Sequence, residues 1–341
     1  SMIKKDLDIL FLSSENARAR INNIALAVKK SPQLVKYTQG MMKKEGLLFQ
    51  PFAIIDYSYF GLLLFRVYFK GGYFSSQEKE RILRHLRANQ YVVAAYELEG
   101  EYDLVVEMCV PNPSRFHKEL CRIVTEIPAL NNYKVILNIV SHIYPKWYLL
   151  KNKSMVKDMG ISIVIGGDRV PEQWDQRELG ILHFLIEDPT LRLTTLAEKC
   201  HLNIKTVMML WKGLQQRKVL RGFQYLLSHT HLGIIKERLF LKLHNLSEQR
   251  EEQLMHFLLS TPEIVQVHKT IGDWTMEIDI ESLDQLRLRK VIRDIREQFK
   301  DLIETFMMME FGQYYYKSFL PTYAVEGNSG INNQGKEQRV Q

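Results

Sequence analysis

Residues 7 to 49 read LDILFLSSENARARINNIALAVKKSPQLVKYTQGMMKKEGLLF, and this stretch decides how the chain folds. Apolar residues recur at helical spacing from Leu7 to Phe11 and again around Ile24. We therefore expect two short helices, one after the other, each with a single apolar face.

A third helix is predicted to follow at once. Ser31 offers an oxygen to an unpaired amide at the helix start, and Pro32 at the first helical position sacrifices no hydrogen bond. Gly46 is placed to end the helix, because glycine tolerates the left-handed backbone conformation found there. Two short helices and a turn leading into a capped third helix predict a helix-turn-helix, with Leu47 to Phe52 as its wing.

Alternating strands and helices continue the chain. Ser75 with Glu78 three residues later predicts a helix start, and Gly100 predicts a tight turn between two strands. The predicted order is strand Leu62 to Phe69, helix from Ser75, strands Tyr91 to Leu98 and Leu104 to Val110, helix Ser114 to Glu126 and strand Tyr133 to Ile143. This βαββαβ order is the split ferredoxin-like arrangement, whose helices cover one sheet face and leave the other to be buried by a second sheet.

The sequence also repeats itself. A shift of 172 residues aligns residues 6 to 148 with residues 178 to 320 without a gap. Leu7, Glu15, Arg20, Gly61, Ser75 and Gly100 meet Leu179, Glu187, Arg192, Gly233, Ser247 and Gly272. We therefore predict an α+β protein made of two repeats, each a winged helix-turn-helix followed by a ferredoxin-like βαββαβ domain that senses a ligand.

The domain boundaries follow from this alignment. The helix-turn-helix units are predicted at residues 1–60 and 174–232, the sensing domains at 61–150 and 233–324, a linker at 151–173 and a disordered polar tail at 325–341.

Bulk composition limits the classes of partner. The chain has 341 residues, 46% of them apolar, and a net charge of +7, which favours an anionic partner such as nucleic acid. Its three cysteines include no CxxC pair, so neither disulfides nor a metal site are expected, and a reducing cytoplasm fits best. No apolar run reaches the roughly 18 residues of a membrane span, and no secretory signal is recognisable.

Charge points to the first repeat as the DNA-binding half. Residues 1 to 60 carry nine Lys and Arg against five Asp and Glu. A third helix lying in the major groove would present Gln33, Lys36 and Tyr37 to base edges. Further contacts with DNA are predicted for Lys29, Lys30, Lys43 and Lys44, and for Lys205 and Thr206 of the second repeat.

Taken together, these stretches resemble the Lrp/AsnC family of transcription regulators. The resemblance lies in Leu7 to Leu10, Asn16 to Arg18, Ser31-Pro32, Glu45 to Leu47 and Gly100 to Leu104, with weaker counterparts in repeat two. It implies double-stranded DNA and an amino acid or other small-molecule effector as partners. It places the effector at Gly100, Tyr102, Asp103, Gly272, Asp273 and Trp274, although the glycines could equally serve only to allow tight turns.

The alternative to a regulator is an enzyme that acts on a tetrapyrrole. The chain also resembles the siroheme decarboxylases, which have the same domain pair. They share arginines and a histidine along the wing, and repeat two has Arg221, His229 and His231 in that region, although it lacks their Asn-Ala-Met run. A sensing or scaffold protein that no longer binds DNA is the third possibility. We expect Met307 to Met309 to fill the core.

The sequence alone thus favours a DNA-binding transcription regulator, and not an enzyme, without metal or cofactor. It is expected to act as a homo-oligomer or as a pseudo-dimer within one chain.

Overall fold

The computed structural model of the chain describes residues 6–72, 74–151 and 162–326. Within these ranges, no helix combines the length and the apolar composition needed to cross a bilayer. The first repeat opens with three helices and a strand: α1 (Leu7–Glu15), α2 (Ile21–Val28), α3 (Pro32–Lys44) and β1 (Leu48–Ile55). The Ser31 hydroxyl accepts a hydrogen bond from the Leu34 amide at 3.2 Å, which confirms the predicted start of α3.

The first ferredoxin-like domain follows the predicted order. Its elements are β2 (Leu63–Phe69), α4 (Ser76–Ala88), β3 (Val92–Glu99), β4 (Leu104–Val110), α5 (Pro113–Glu126) and β5 (Tyr133–Ile143). The Ser75 hydroxyl caps α4 by accepting from the Glu78 amide at 3.2 Å, and Gly100 holds a positive φ of 138° in the β3–β4 turn.

A short strand within the predicted linker, β6 (Ile163–Gly166), pairs with β5 and leads into the second repeat. The second repeat comprises α6 (Gln176–Glu187), α7 (Leu193–Cys200), α8 (Ile204–Gln216), β7 (Leu220–Leu227), α9 (His229–Leu232), β8 (Ile235–Leu243), α10 (Glu248–Ser260), β9 (Ile264–Ile271), β10 (Met276–Ser282), α11 (Gln285–Gln298) and β11 (Ile303–Lys317). Of the predicted tail, Val325 is buried at the end of a short 3₁₀ helix, and residues 327–341 lie outside the described residues.

The two helix-turn-helix units join through their strands. β1 pairs with β7 in an antiparallel two-stranded sheet, in which Ala53 faces Phe223. The segments predicted as wings are therefore paired with each other across the two repeats.

The two ferredoxin-like domains also pair with each other, and this happens within one chain. Each contributes a four-stranded sheet, in the orders β5-β2-β4-β3 and β11-β8-β10-β9. The sheets join along both edges, β3 to β11 and β9 to β5, so that their strands close into a barrel. The fold class predicted from the repeat is thus confirmed, and the closed ring leaves no free edge between the two halves.

Side chains alternate between the two faces of the barrel wall. On β10, Met276, Ile278 and Ile280 pack outward in an apolar core with α10 and α11, while the residues between them are acidic and buried. α4 and α5 cover the other half in the same way. The barrel interior therefore contains both an aromatic cluster and charged groups.

Candidate functional site

Charged side chains from both repeats meet in the middle of the barrel. The guanidinium of Arg66 donates to both carboxylate oxygens of Glu277, with N···O distances of 2.9–3.1 Å, and neither side chain is exposed to solvent. Arg238 forms a similar pair with Asp279, at 2.6 and 3.0 Å. Burial of ions is costly unless each is paired and hydrogen-bonded. The Arg66–Glu277 pair joins the two repeats directly, whereas Arg238 and Asp279 both belong to the second repeat and Arg238 reaches the first by donating to the Tyr68 hydroxyl at 2.9 Å.

At one end of the barrel the ion network opens into a cavity of about 60 Å³ beneath the first helix-turn-helix unit. We call it the polar cavity, and define it by Glu15, Lys146, His229, Lys236, Glu281 and Lys317. Glu15 lies at the end of α1, Lys146 follows β5, and the other four come from the second repeat. Both repeats are therefore needed to form this cavity.

Glu281 lies at the centre of the ion pairs in the polar cavity. The ammonium group of Lys146 contacts both of its carboxylate oxygens at 2.8 Å, and that of Lys236 contacts one of them at 3.3 Å. The Tyr148 hydroxyl donates to the same carboxylate at 2.5 Å. Burial alone would raise the pKa of Glu281, but the two lysines outweigh it and hold this pKa well below its ordinary range.

The remaining groups of the polar cavity carry pKa values moved by burial. Burial raises the pKa of Glu15 to about 7, against the lowering effect of the Lys146 amide and ammonium. It lowers the pKa of His229 to about 4 and that of Lys317 to about 8, and it also lowers the pKa of Lys236. Such a concentration of shifted groups is more common at functional sites than in purely structural cores.

A second cavity adjoins the first. This outer cleft of about 270 Å³ is formed between β1, the start of β3 and the end of β11, and it includes Gln50, Arg87 and Glu187. Phe52 and Lys317 line both the outer cleft and the polar cavity. The Lys317 ammonium lies over the Phe52 ring at 5.4 Å from its centroid, so these two side chains form the wall that the two spaces share.

The residues predicted to contact DNA lie at the protein surface. Gln33 and Lys36 are exposed on α3, and Tyr37 is 63% exposed. The other predicted contacts, Lys29, Lys30, Lys43, Lys44 and Lys205, are also exposed, whereas Thr206 is half-buried. The structure of the chain alone does not test whether these residues contact DNA, so their role stays a prediction.

The residues predicted to bind an effector lie at the opposite end of the barrel from the helix-turn-helix units. Tyr102 and Trp274 are buried in the aromatic cluster, with their ring centroids 6.1 Å apart. Asp273 pairs with Lys134 at the surface. The turn glycines fit closely: a side chain at Gly100 would contact Met309, and one at Gly272 would collide with Ile136.

Asp103 differs from the other predicted effector residues because it lines an open pocket. Its carboxylate accepts from the amides of Gly71 and Gly72 at 2.9 and 2.8 Å. It borders a pocket of about 410 Å³ between α4 and the sheet, lined also by Lys79 and Tyr315. Effector binding by these six residues stays a prediction.

Of the residues that suggested a decarboxylase, one reaches the polar cavity. His229 is buried there, and its Nε2 lies 3.3 Å from the Phe311 carbonyl oxygen. His231 is exposed and bonded to the Ser228 hydroxyl at 2.5 Å, and Arg221 is half-buried on β7. Lys236 and Glu281 were not among the residues predicted from the sequence, although the acidic residues that alternate with apolar ones on β10 carried a signal for Glu281.

Comparison with known proteins supports the fold over the whole chain. No protein-family model and no curated protein sequence matches the chain. A solved structure of the siroheme decarboxylase NirDL is similar with a TM-score of 0.55 and 13% identity, and covers 99% of both chains. Its complex with an iron-uroporphyrin III analogue is similar with a TM-score of 0.53 and 14% identity, covering 97% of this chain and 99% of that one.

Regulators match only part of the chain. An AsnC-family transcriptional regulator from Agrobacterium tumefaciens covers 43% of this chain and 97% of its own, with 19% identity and a TM-score of 0.38. A solved structure that matches over the full length is that of an enzyme, and this finding overturns the prediction that the chain is a DNA-binding transcription regulator and not an enzyme. What the comparisons establish is the fold, which extends over the whole chain.

Proposed function

We propose that the chain is an enzyme that decarboxylates an anionic tetrapyrrole, with a substrate carboxylate bound in the polar cavity. The observation that carries this proposal is the end-to-end fold similarity to a siroheme decarboxylase, which covers 99% of each chain. Fold alone does not determine chemistry, so the proposal also depends on what the chain's own residues can do.

The polar cavity has the charge that a carboxylate ligand requires. Lys146, Lys236 and Lys317 bring three amines to its wall, while Glu281 neutralises part of their charge. A barrel that served only for stability would be expected to contain apolar residues here, because buried ammonium groups must be compensated for lost hydration. An incoming carboxylate would give Lys317 a direct ion-pair partner, since none occurs among the described residues, although the charges of Glu107 and Asp279 act on its ammonium across the cavity.

The volumes of the polar cavity and the outer cleft suggest which part of the substrate each would hold. A volume of about 60 Å³ accommodates a carboxylate side chain but not a macrocycle, since drug-sized ligands need roughly 300–1,000 Å³. The outer cleft of about 270 Å³ is also below that range, so it would hold one edge of the macrocycle while the rest stays outside, and movement of Phe52 would open the shared wall. Arg87 in this cleft is available to the other carboxylates of the substrate.

Decarboxylation breaks the bond between a side-chain methylene and its carboxylate carbon. Carbon dioxide leaves, and the electron pair remains on the methylene carbon until it takes up a proton. The low exposure of the polar cavity favours this step, because loss of charge from a carboxylate is easier away from water. The lysines would orient the carboxylate, and a nearby acid must deliver the proton.

An absorbance titration with siroheme tests the binding part of this proposal. The wild-type chain is expected to shift the tetrapyrrole spectrum, and Lys236→Met is expected to weaken binding about 10- to 100-fold, the value of one charged hydrogen bond of about 1.5–3 kcal/mol. Lys242→Met is the matched control, since Lys242 lies on the same strand but pairs with Glu304 at the surface. An unchanged spectrum at saturating siroheme, or equal affinity in Lys236→Met and wild type, would contradict the proposal.

A further inference from the structure

We infer that Glu15 is the acid that delivers the proton in the polar cavity, an inference that rests on the proposed function. Glu15 ends α1 and lines the polar cavity from the side of the first helix-turn-helix unit. Its carboxylate accepts from the Lys146 amide at 2.9 Å and from the Gln224 side chain at 3.4 Å. Neither of these partners is a cation that would hold the carboxylate in its charged form.

Glu15 takes no part in the ion pairs of the polar cavity. The Lys146 and Lys236 ammonium groups both bind Glu281, and the Tyr148 hydroxyl donates to Glu281 as well. No ion pair to Glu15 occurs among the residues that the structure describes. Four carboxylates line this cavity: Glu281 binds the two lysines, Asp279 binds Arg238, and neither Glu15 nor Glu107 has an ion-pair partner among the described residues. This arrangement keeps Glu281 charged and favours the proton on Glu15.

The pKa values of Glu15 and of the groups around it agree with a proton on Glu15 and a charge on Glu281. Burial raises the pKa of Glu15 to about 7, and the charge of Glu281 adds to that effect. Of the groups that face Glu15, His229 has a pKa lowered to about 4 by burial and holds no extra proton near neutral pH. The pKa of the Tyr148 hydroxyl is raised well above its ordinary value by burial and by Glu281. Glu15 is thus the group whose proton is available near neutrality, with Lys317 as its rival.

The step balances with a single proton. The carbon–carbon bond to the substrate carboxylate breaks, carbon dioxide leaves, and the electron pair on the methylene carbon takes the proton from Glu15. The methylene becomes a methyl group, and water returns a proton to the Glu15 carboxylate. No oxidant or reductant is consumed.

The internal repeat shows that this arrangement occurs once. Glu187 occupies the position equivalent to Glu15, but its side chain is 56% exposed and pairs with His183. The positions equivalent to Lys146, Lys236, Glu281 and His229 are Ser318, Leu64, Cys109 and Tyr57. The second copy of the cavity has therefore lost its charges, and we expect one catalytic centre per chain.

The test measures decarboxylation of siroheme from pH 5 to 9 by the full chain. Wild-type kcat is expected to fall as pH rises through about 7, where Glu15 loses its proton. Glu15→Gln should lower kcat about 10²- to 10⁴-fold, the usual contribution of a general acid, with siroheme binding unchanged. Glu15→Asp should restore part of the activity with the pH profile moved. Glu126→Gln, at the exposed end of α5, is the control and should behave as wild type.

The possible results distinguish a failure of the proposed function from a failure of the proposed role of Glu15. An inactive wild type overturns the proposed function and this role with it. An active wild type with an equally active Glu15→Gln overturns the role alone, as does a pH profile that disappears only in Lys317→Met. Infrared spectroscopy of the ligand-free chain gives a readout independent of activity. A protonated carboxyl band at pH 6 that is lost in Glu15→Gln supports the inference, and absence of that band overturns it.

Discussion

Replacement of Glu277 by alanine tests whether the two halves share one closed interior. Glu277 lies on β10 of the second repeat, and its partner Arg66 lies on β2 of the first. Without the carboxylate, the Arg66 guanidinium keeps its bond to the Asn138 side chain at 2.9 Å, but it loses its counter-ion while fully buried. The expected loss is about 3–5 kcal/mol in the free energy of unfolding, the cost of leaving a buried charge unpaired.

The matched control is another ion pair that joins the same two halves. Lys134 and Asp273 also come from different repeats, but their side chains are 49% and 56% exposed. Asp273→Ala should therefore change the free energy of unfolding much less than Glu277→Ala, because an exposed ion pair is screened by solvent. The comparison separates the effect of burial from the effect of linking the repeats.

Urea unfolding, followed by circular dichroism and by tryptophan fluorescence, measures both variants. Trp274, one of four tryptophans in the chain, lies in the barrel interior, so part of the fluorescence signal reports on the closed ring. A double variant, Arg66→Met with Glu277→Leu, should recover much of the lost stability, because an apolar pair no longer leaves a buried ion unpaired. Equal stabilities for Glu277→Ala and Asp273→Ala would refute the description of a dry, shared interior.

Three further predictions concern stability and reactivity. Because the pKa of Glu15 is raised from 4.5 to about 7 in the folded chain, its contribution to stability is complete below pH 4.5 and is lost as pH rises to about 7. The change amounts to about 3 kcal/mol, and pH-dependent urea melts should show it in wild type and not in Glu15→Gln. Cys109 is buried, with its thiol pKa raised by burial, so a thiol reagent should modify the exposed Cys121 first, as peptide mass mapping would show; faster reaction at Cys109 would contradict the burial. Gly272→Ala should cost about 1–3 kcal/mol, because φ is 151° and the new Cβ would lie 2.5 Å from the Ile136 side chain. Gly213→Ala, in open space on α8, should instead stabilise the chain by up to about 1 kcal/mol in thermal melts; a stabilising Gly272→Ala or a destabilising Gly213→Ala would be evidence against this packing.

Local chemistry was sufficient to predict the elements of the fold. The hydroxyls of Ser31, Ser75 and Ser247 cap their helices as expected, because a cap depends only on residues three positions apart. The βαββαβ order and the duplication also follow from patterns within each repeat. These signals are read directly from neighbouring residues.

Closure of the barrel could not be predicted in the same way. The pairings of β3 with β11 and of β9 with β5 join residues far apart in the chain, and nothing in either strand specifies its partner. The polar cavity depends on this closure, since it brings Lys146 to Glu281 across 135 residues. The sequence did contain one usable sign, the acidic residues that alternate with apolar ones along β10.

The function was misjudged because the resemblance was strongest within a single repeat. The Lrp/AsnC-like residues lie in the helix-turn-helix and in the β3–β4 turn, which both classes of protein need for folding. The proposed activity depends on how the two repeats meet, and that information appears only in the full-length structure.

Mass spectrometry of siroheme after incubation with the wild-type chain tests the proposed function most directly. The proposal predicts a product that has lost carbon dioxide from its carboxylate side chains, formed at a rate that depends on Lys236. Recovery of unchanged siroheme at protein concentrations that bind it fully would contradict the proposal.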